Sequence, residues 1–209
     1  MSGDAAAPAP DEAEEAARAG LYALIGRLFF GAPDADLLSH MTANVAVDDH
    51  GHRPEDTALG RAWQQLAASS ASAEIAALQH EHAMLFVGVG KAPVTPYTSA
   101  YVPGVSPERH LLQLKQQLDQ WGLAVDVATA TPEDHLSALC DTMRHLILRG
   151  EPIAVQKAFF ERFIHRQCTT LCRKLADAEP SAFYRALAHF TNVFLTVEHE
   201  GFDMIVAAS

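Results

Sequence analysis

Apolar residues return every three or four positions through almost all of this 209-residue chain, and no stretch alternates apolar with polar over the length of a strand. A period of 3.6 sets side chains on one stripe of a helix, while a strand needs a period of two. The stripes are punctuated. Leu21, Leu24, Ile25, Leu28 and Phe29 run into Gly31 and Pro33, and Leu111, Leu112, Leu114, Leu118 and Trp121 run into Gly122. Leu136, Leu139, Cys140, Met143 and Ile147 run into Gly150, and a long stretch from 152 to 178 meets Pro180. Proline ends a helix because it lacks an N–H, and glycine because it takes the left-handed turn that follows a last helical residue. At 49% apolar the chain can bury a core, and its length fits one domain. The pattern predicts an all-α, single-domain bundle of about eight helices over 11–209, behind a disordered acidic Ala/Pro-rich tail at 1–10.

Helix starts are legible too. Asp34 or Asp36 caps a short second helix carrying Leu37, Leu38 and Met41, and 43–56 has no period and reads as a loop. Pro54 belongs in the first turn of a third helix with Leu59, Trp63 and Leu66. Ser72 caps a fourth, with Ile75, Leu78, His82, Leu85 and Phe86 on one side and Gly88 and Gly90 closing it. Ser106-Pro107-Glu108 combines a cap, a first-turn proline and an acid at the positive helix end, and Thr131-Pro132-Glu133-Asp134 repeats the arrangement. Residues 123–130 have strand propensity but no partner strand and read as an extended connector. The last helix runs from Ser181 to Glu198 through Phe183, Leu187, Phe190, Val193 and Phe194.

Charge narrows the class. A net charge of -11 and a pI near 5.3 disfavour nucleic acid, whose phosphates call for clustered Lys and Arg, and favour a basic partner such as a cationic peptide. Three cysteines, an odd count, argue against a disulfide framework and for a reducing compartment. No positively charged start precedes an apolar run, and the most apolar stretch, LYALIGRLFF, is short and carries Arg27, so neither a secretory signal nor a membrane span is expected. The expected location is the cytoplasm.

Several residues invite a chemical reading. Cys168 and Cys172 lie one helical turn apart, but no matched Cys or His pair completes a zinc set, so they read as small buried side chains. His80 and His82 point in different directions on a helix, and His50 and His52 have no HExxH partner. VGVGK lacks the spacing of a phosphate loop, and no GxSxG elbow surrounds Ser99. No catalytic set, metal site or cofactor is expected. Asp134 fits a helix-end charge, whereas His135 beside it is poorly placed there as a cation, so the pair is either a cap or a site. Glu81, flanked by Leu78 and Leu85, is either a clamp on the 88–105 connector, with Tyr97, Ser99 or a backbone N–H as donor, or a contact residue. Tyr97 and Tyr101 are either core aromatics or, with Leu85 and Phe86, a peptide-capturing surface.

Three segments in order decide the comparison: EHAMLF at 81–86, PYTSAY at 96–101 and PEDHL at 132–136. They resemble the E-x3-L-F, P-Y-x-S-x-Y and D-H-[LI] elements of the TorD/DmsD family of redox-enzyme maturation chaperones, which includes the NarJ-type proteins. FYRALAHFTNVFL is similar to that family's final helix, and the likeness covers about 20–198. His82 and Met84 depart from the family pattern, which bears on the client rather than the class. The resemblance implies a non-enzymatic cytoplasmic chaperone. It implies binding of the N-terminal, twin-arginine-type signal of a molybdenum-cofactor oxidoreductase subunit, and retention of the apo form until cofactor insertion. By position it implies a peptide groove of Leu85, Phe86, Tyr97, Ser99, Tyr101, Asp134 and His135, with Glu81 and Pro96 in support. It also allows a monomer or a helix-exchanged dimer hinged at 88–105 or 123–130. The reading from another class is a helical metal-dependent hydrolase using Asp134 and His135.

Overall fold

The computed structural model describes residues 10–43, 56–88, 92–123 and 132–208. The expectations for the tail, for Pro54, for the loop at 44–55, for the connector at 124–130 and for Thr131 lie outside these residues. Within them the chain is helical: α1 Pro10–Phe30, α2 Ala35–Ala43, α3 Ala58–Ala71, α4 Ile75–His82, α5 Pro107–Gln120, α6 Leu136–Leu148, α7 Ile153–Phe159, α8 Arg166–Asp177 and α9 Ala182–Ala208. A π-helical turn, Phe160–His165, joins α7 to α8 into one rod, so the described chain forms eight rods, as the periodicity predicts. A second π turn, Ala83–Val87, extends α4 and closes with the Gly88 N–H donating to Ala83 O at 2.7 Å. A short 3-10 turn covers Thr98–Tyr101.

Several predicted ends are where the local chemistry puts them. Asp34 Oδ1 accepts from the Leu37 N–H at 2.9 Å, and Ser106 Oγ from the Arg109 N–H at 3.3 Å. Gly122 and Gly150 take φ of +66° and +65°, which a side chain resists, and stop α5 and α6. Other ends move. Ser72 does not start α4; its N–H donates to Ser70 O and its hydroxyl to Ser69 O, so it closes α3, and Glu74 precedes α4 without a side-chain cap bond. Thr57 Oγ1 caps α3 by accepting from the Gly60 N–H at 2.9 Å. The helix expected from Thr131 begins only at Leu136. α9 continues ten residues past its predicted end, because Glu198 is gripped by α1 and Phe202 is buried beyond it.

The core is one buried cluster fed by every long helix, from Tyr22, Ile25 and Phe29 through Leu139 and Met143 to Phe163, Leu187 and Phe190. α1 lies along α6, and α9 lies along both α3 and α8. Gly26 makes the first contact close: a Cβ there would sit 3.1 Å from Cys140 Cβ and 3.4 Å from the backbone of Ser137. Arg18 Nε donates to both oxygens of Glu198 at 2.8 and 3.0 Å, Tyr22 Oη donates to Glu198 Oε2 at 2.8 Å, and an Arg18 Nη1 bond to Gln156 Oε1 ties in α7. That network joins the first helix to the last. The three cysteines are free and buried, and burial pushes the Cys172 thiol up to about 12 and raises the other two.

Candidate functional site

The 96–101 turn and the start of α6 are joined. Tyr97 and His135 form an antiparallel bridge, flanked by the Thr98 N–H donating to Asp134 O at 2.8 Å and the Leu136 N–H donating to Pro96 O at 2.8 Å. The second bond gives a carbonyl to one of the free N–H groups at the start of α6. Pro96 therefore supports the site through its backbone. Thr98 Oγ1 adds a bond to Asp134 O at 3.1 Å.

Asp134 is 4% exposed and is not the helix-end charge its sequence position suggests. It sits in the turn closed by the His135 N–H on Pro132 O, and its Oδ2 accepts a short 2.5 Å bond from Ser99 Oγ. That length is usual for a hydroxyl on a carboxylate. The cap of α6 is His135: its Nδ1 accepts from the Ser137 N–H at 3.1 Å and lies 2.7 Å from Ser137 Oγ. With Nδ1 accepting, the neutral ring carries its proton on Nε2. Burial lowers the His135 pKa, the charge of Asp134 works against that, and His82 adds to it. A neutral ring suits the positive end of a helix.

The ring of His135 makes edge-on contacts with two aromatics, Tyr97 at 5.2 Å and Phe30 at 6.1 Å between centroids. Tyr97 is 37% and Phe30 57% exposed. The remaining sequence-predicted residues face inward. Phe86 is buried against Phe29, His82 and Tyr184, and Leu85 is buried with its carbonyl accepting from the Val94 N–H at 3.1 Å. Tyr101 folds back on its own turn, donating to Thr95 O at 2.7 Å and accepting from the Thr95 N–H, with Lys174 over its ring. Glu81 does not clamp the connector. Its Oε1 accepts from the Ser181 N–H at 2.6 Å and so serves the residue before α9.

Sequence reasoning missed Phe30, Thr98 and Ser137. Phe29-Phe30 holds the clue to the first, since adjacent residues on a helix point about 100° apart and only one can join the stripe. Chemically the constellation is a clasp. Ser137 Oγ and His135 Nδ1 make a Ser–His contact, but the Asp134 carboxylate holds Ser99 instead of orienting the imidazole, so the order of a hydrolytic triad is broken.

The family model described as nitrate reductase delta subunit matches residues 53–173, more than half of the chain and across all three motif segments. The chaperone protein TorD of Ferrimonas balearica is 30% identical over 199 residues, covering 87% of this chain and 88% of that one. The chain belongs to the TorD family of redox-enzyme maturation chaperones. A solved structure from Archaeoglobus fulgidus, described as a redox enzyme maturation protein, aligns over 97% of this chain and 99% of that one at 17% identity and a TM-score of 0.46, a likeness too loose to build on. In this TorD-family member the family's second and third motif elements are in direct contact, while the first, around Leu85 and Phe86, backs them from the core.

Proposed function

We propose that this chain is a cytoplasmic, non-enzymatic chaperone that binds the N-terminal signal of a molybdenum-cofactor oxidoreductase subunit and holds the apo form until the cofactor is in place. The observation that supports this best is the exposed aromatic pair, Phe30 and Tyr97, each packed edge-on with His135 at the joint of the two motif turns. Rigid, half-exposed aromatics next to a donor such as a neutral imidazole suit the apolar part of a signal, and the net charge of -11 suits its arginines. Asp134, facing Ser99, contributes by positioning the turn rather than by reaching an arginine. No helix among the described residues is long and apolar enough to cross a membrane, so client capture does not call on a span of its own.

The test is calorimetric titration with twin-arginine signal peptides of molybdenum oxidoreductases. Tyr97→Ser and Phe30→Ser are each expected to weaken binding about tenfold, as for a hot-spot aromatic, with melting temperatures close to wild type because both side chains are exposed. Equal affinity in both variants would move the site elsewhere, and no affinity for any such peptide would remove the signal-binding reading. The hydrolase reading has no observation in its favour.

A further inference from the structure

Away from the motif joint, the rod of α7 and α8 runs against α9 and brings a second polar cluster together. One donor atom from each of Glu161, His199 and Asp203 lies within 4.8 Å of the others. His165, in the same π turn as Glu161, stacks on His199 with ring centroids 4.3 Å apart. The two carboxylates already converge on a cation: Lys157 Nζ is 2.8 Å from Asp203 Oδ1 and 3.7 Å from Glu161 Oε1. π turns recur at functional sites because the extra residue re-aims the side chains around it.

Glu161, His165 and His199 also line an open cleft of about 650 Å³, together with Tyr101, Val102 and Pro103. Gln167, 6% exposed, lines the same cleft. Its Nε2 donates to Arg162 O at 2.9 Å, while its Oε1 is buried without a partner. His199 Nδ1 is a second buried atom without one. Buried polar atoms are ordinarily satisfied, so an orphaned Gln167 Oε1 in the lining of a cleft that Glu161 and His199 also line points to something that binds there.

The donor set selects the ligand. One or two imidazoles with two carboxylates suit a borderline divalent ion better than magnesium or calcium, which prefer all-oxygen shells. Bonds of about 2.0–2.2 Å set tetrahedral donors about 3.5 Å apart, a small inward adjustment for two exposed carboxylates. We propose that Glu161, His199 and Asp203, with His165 beside them, bind a divalent transition-metal ion, zinc fitting best, and that the ion displaces Lys157 from the two acids. The site does not depend on the peptide-binding reading.

The full chain, cleared of metal, is titrated with Zn²⁺ against a chromophoric chelator and separately with Co²⁺, whose visible absorption reports its ligands. One saturable equivalent in the micromolar range is expected. His199→Gln and Asp203→Asn should each weaken it at least tenfold, and Lys157→Gln should tighten it severalfold by removing the competing ammonium, with helicity unchanged in all three. Undiminished binding in His199→Gln or Asp203→Asn, or no saturable binding below a millimolar, overturns the assignment.

Discussion

A carboxylate in the first turn after a threonine-proline pair looks like a helix cap, and Asp134 shows how the same residue takes another role once a partner is available. Its Oδ2 holds Ser99, a residue of a distant turn, and the cap is supplied by His135 instead. A double-mutant cycle on Ser99→Ala and Asp134→Ala should therefore show a coupling of about 1–3 kcal/mol, the range for a buried charge-assisted bond. Zero coupling in urea titrations of the four proteins would return Asp134 to a helix-end role. The motif residues themselves were legible, since Tyr97, Ser99, Asp134 and His135 meet as the family pattern implies. Phe30 was not, because whether the second phenylalanine of a pair is covered depends on what packs over it, and nothing in a helical period says so.

At the scale of elements, the site depends on how closely α1 approaches α6. Gly26 faces Cys140 and Ser137 across that contact, and Ser137 is the residue that His135 caps onto. Gly26→Leu should force the two helices apart and destabilise the protein by about 1–3 kcal/mol as overpacked cores do; on the proposed signal-binding role it should also reduce peptide affinity. Thermal unfolding together with calorimetry checks both parts, and an unchanged melting temperature would show that the helix contact yields freely. Helix existence was readable from period and punctuation. The two π turns were not, because an extra residue within a helix leaves the apolar spacing nearly intact. The far end of α9 was not either, since Glu198 and Phe202 extend it through bonds and burial contributed by α1 and the rod.

For the whole molecule, histidines set the acid limit. His135 belongs to the joint, His82 packs on Phe86 and Tyr184, His110 on Phe163, and His165 lies on the rod; burial lowers the pKa of each. A free histidine titrates near 6.5, so as pH falls below that value the unfolded chain takes up protons that the fold resists. Stability is then fully present above about pH 6.5 and is lost as pH falls towards the depressed values. Melting temperature, measured with chelator present, should be level from about pH 8 to 7 and decline from about 6.5 to 5.5. A level profile throughout would show that these rings charge freely in the fold. The carboxylates with lowered pKa, Asp34, Glu108 and Asp203, act in the same direction but in a more acidic window.

From its own residues the chain determined that it would be helical and roughly where each helix stops, because backbone propensity and the spacing of apolar groups are local properties. Its family, too, was written in three short segments. Which of those segments face solvent, which carboxylate holds a hydroxyl and which caps a helix, and that Glu161 should meet His199 and Asp203 were decided only when the rods assembled. Burial and hydrogen-bond partnership belong to pairs of surfaces, and one helix carries only half of each pair.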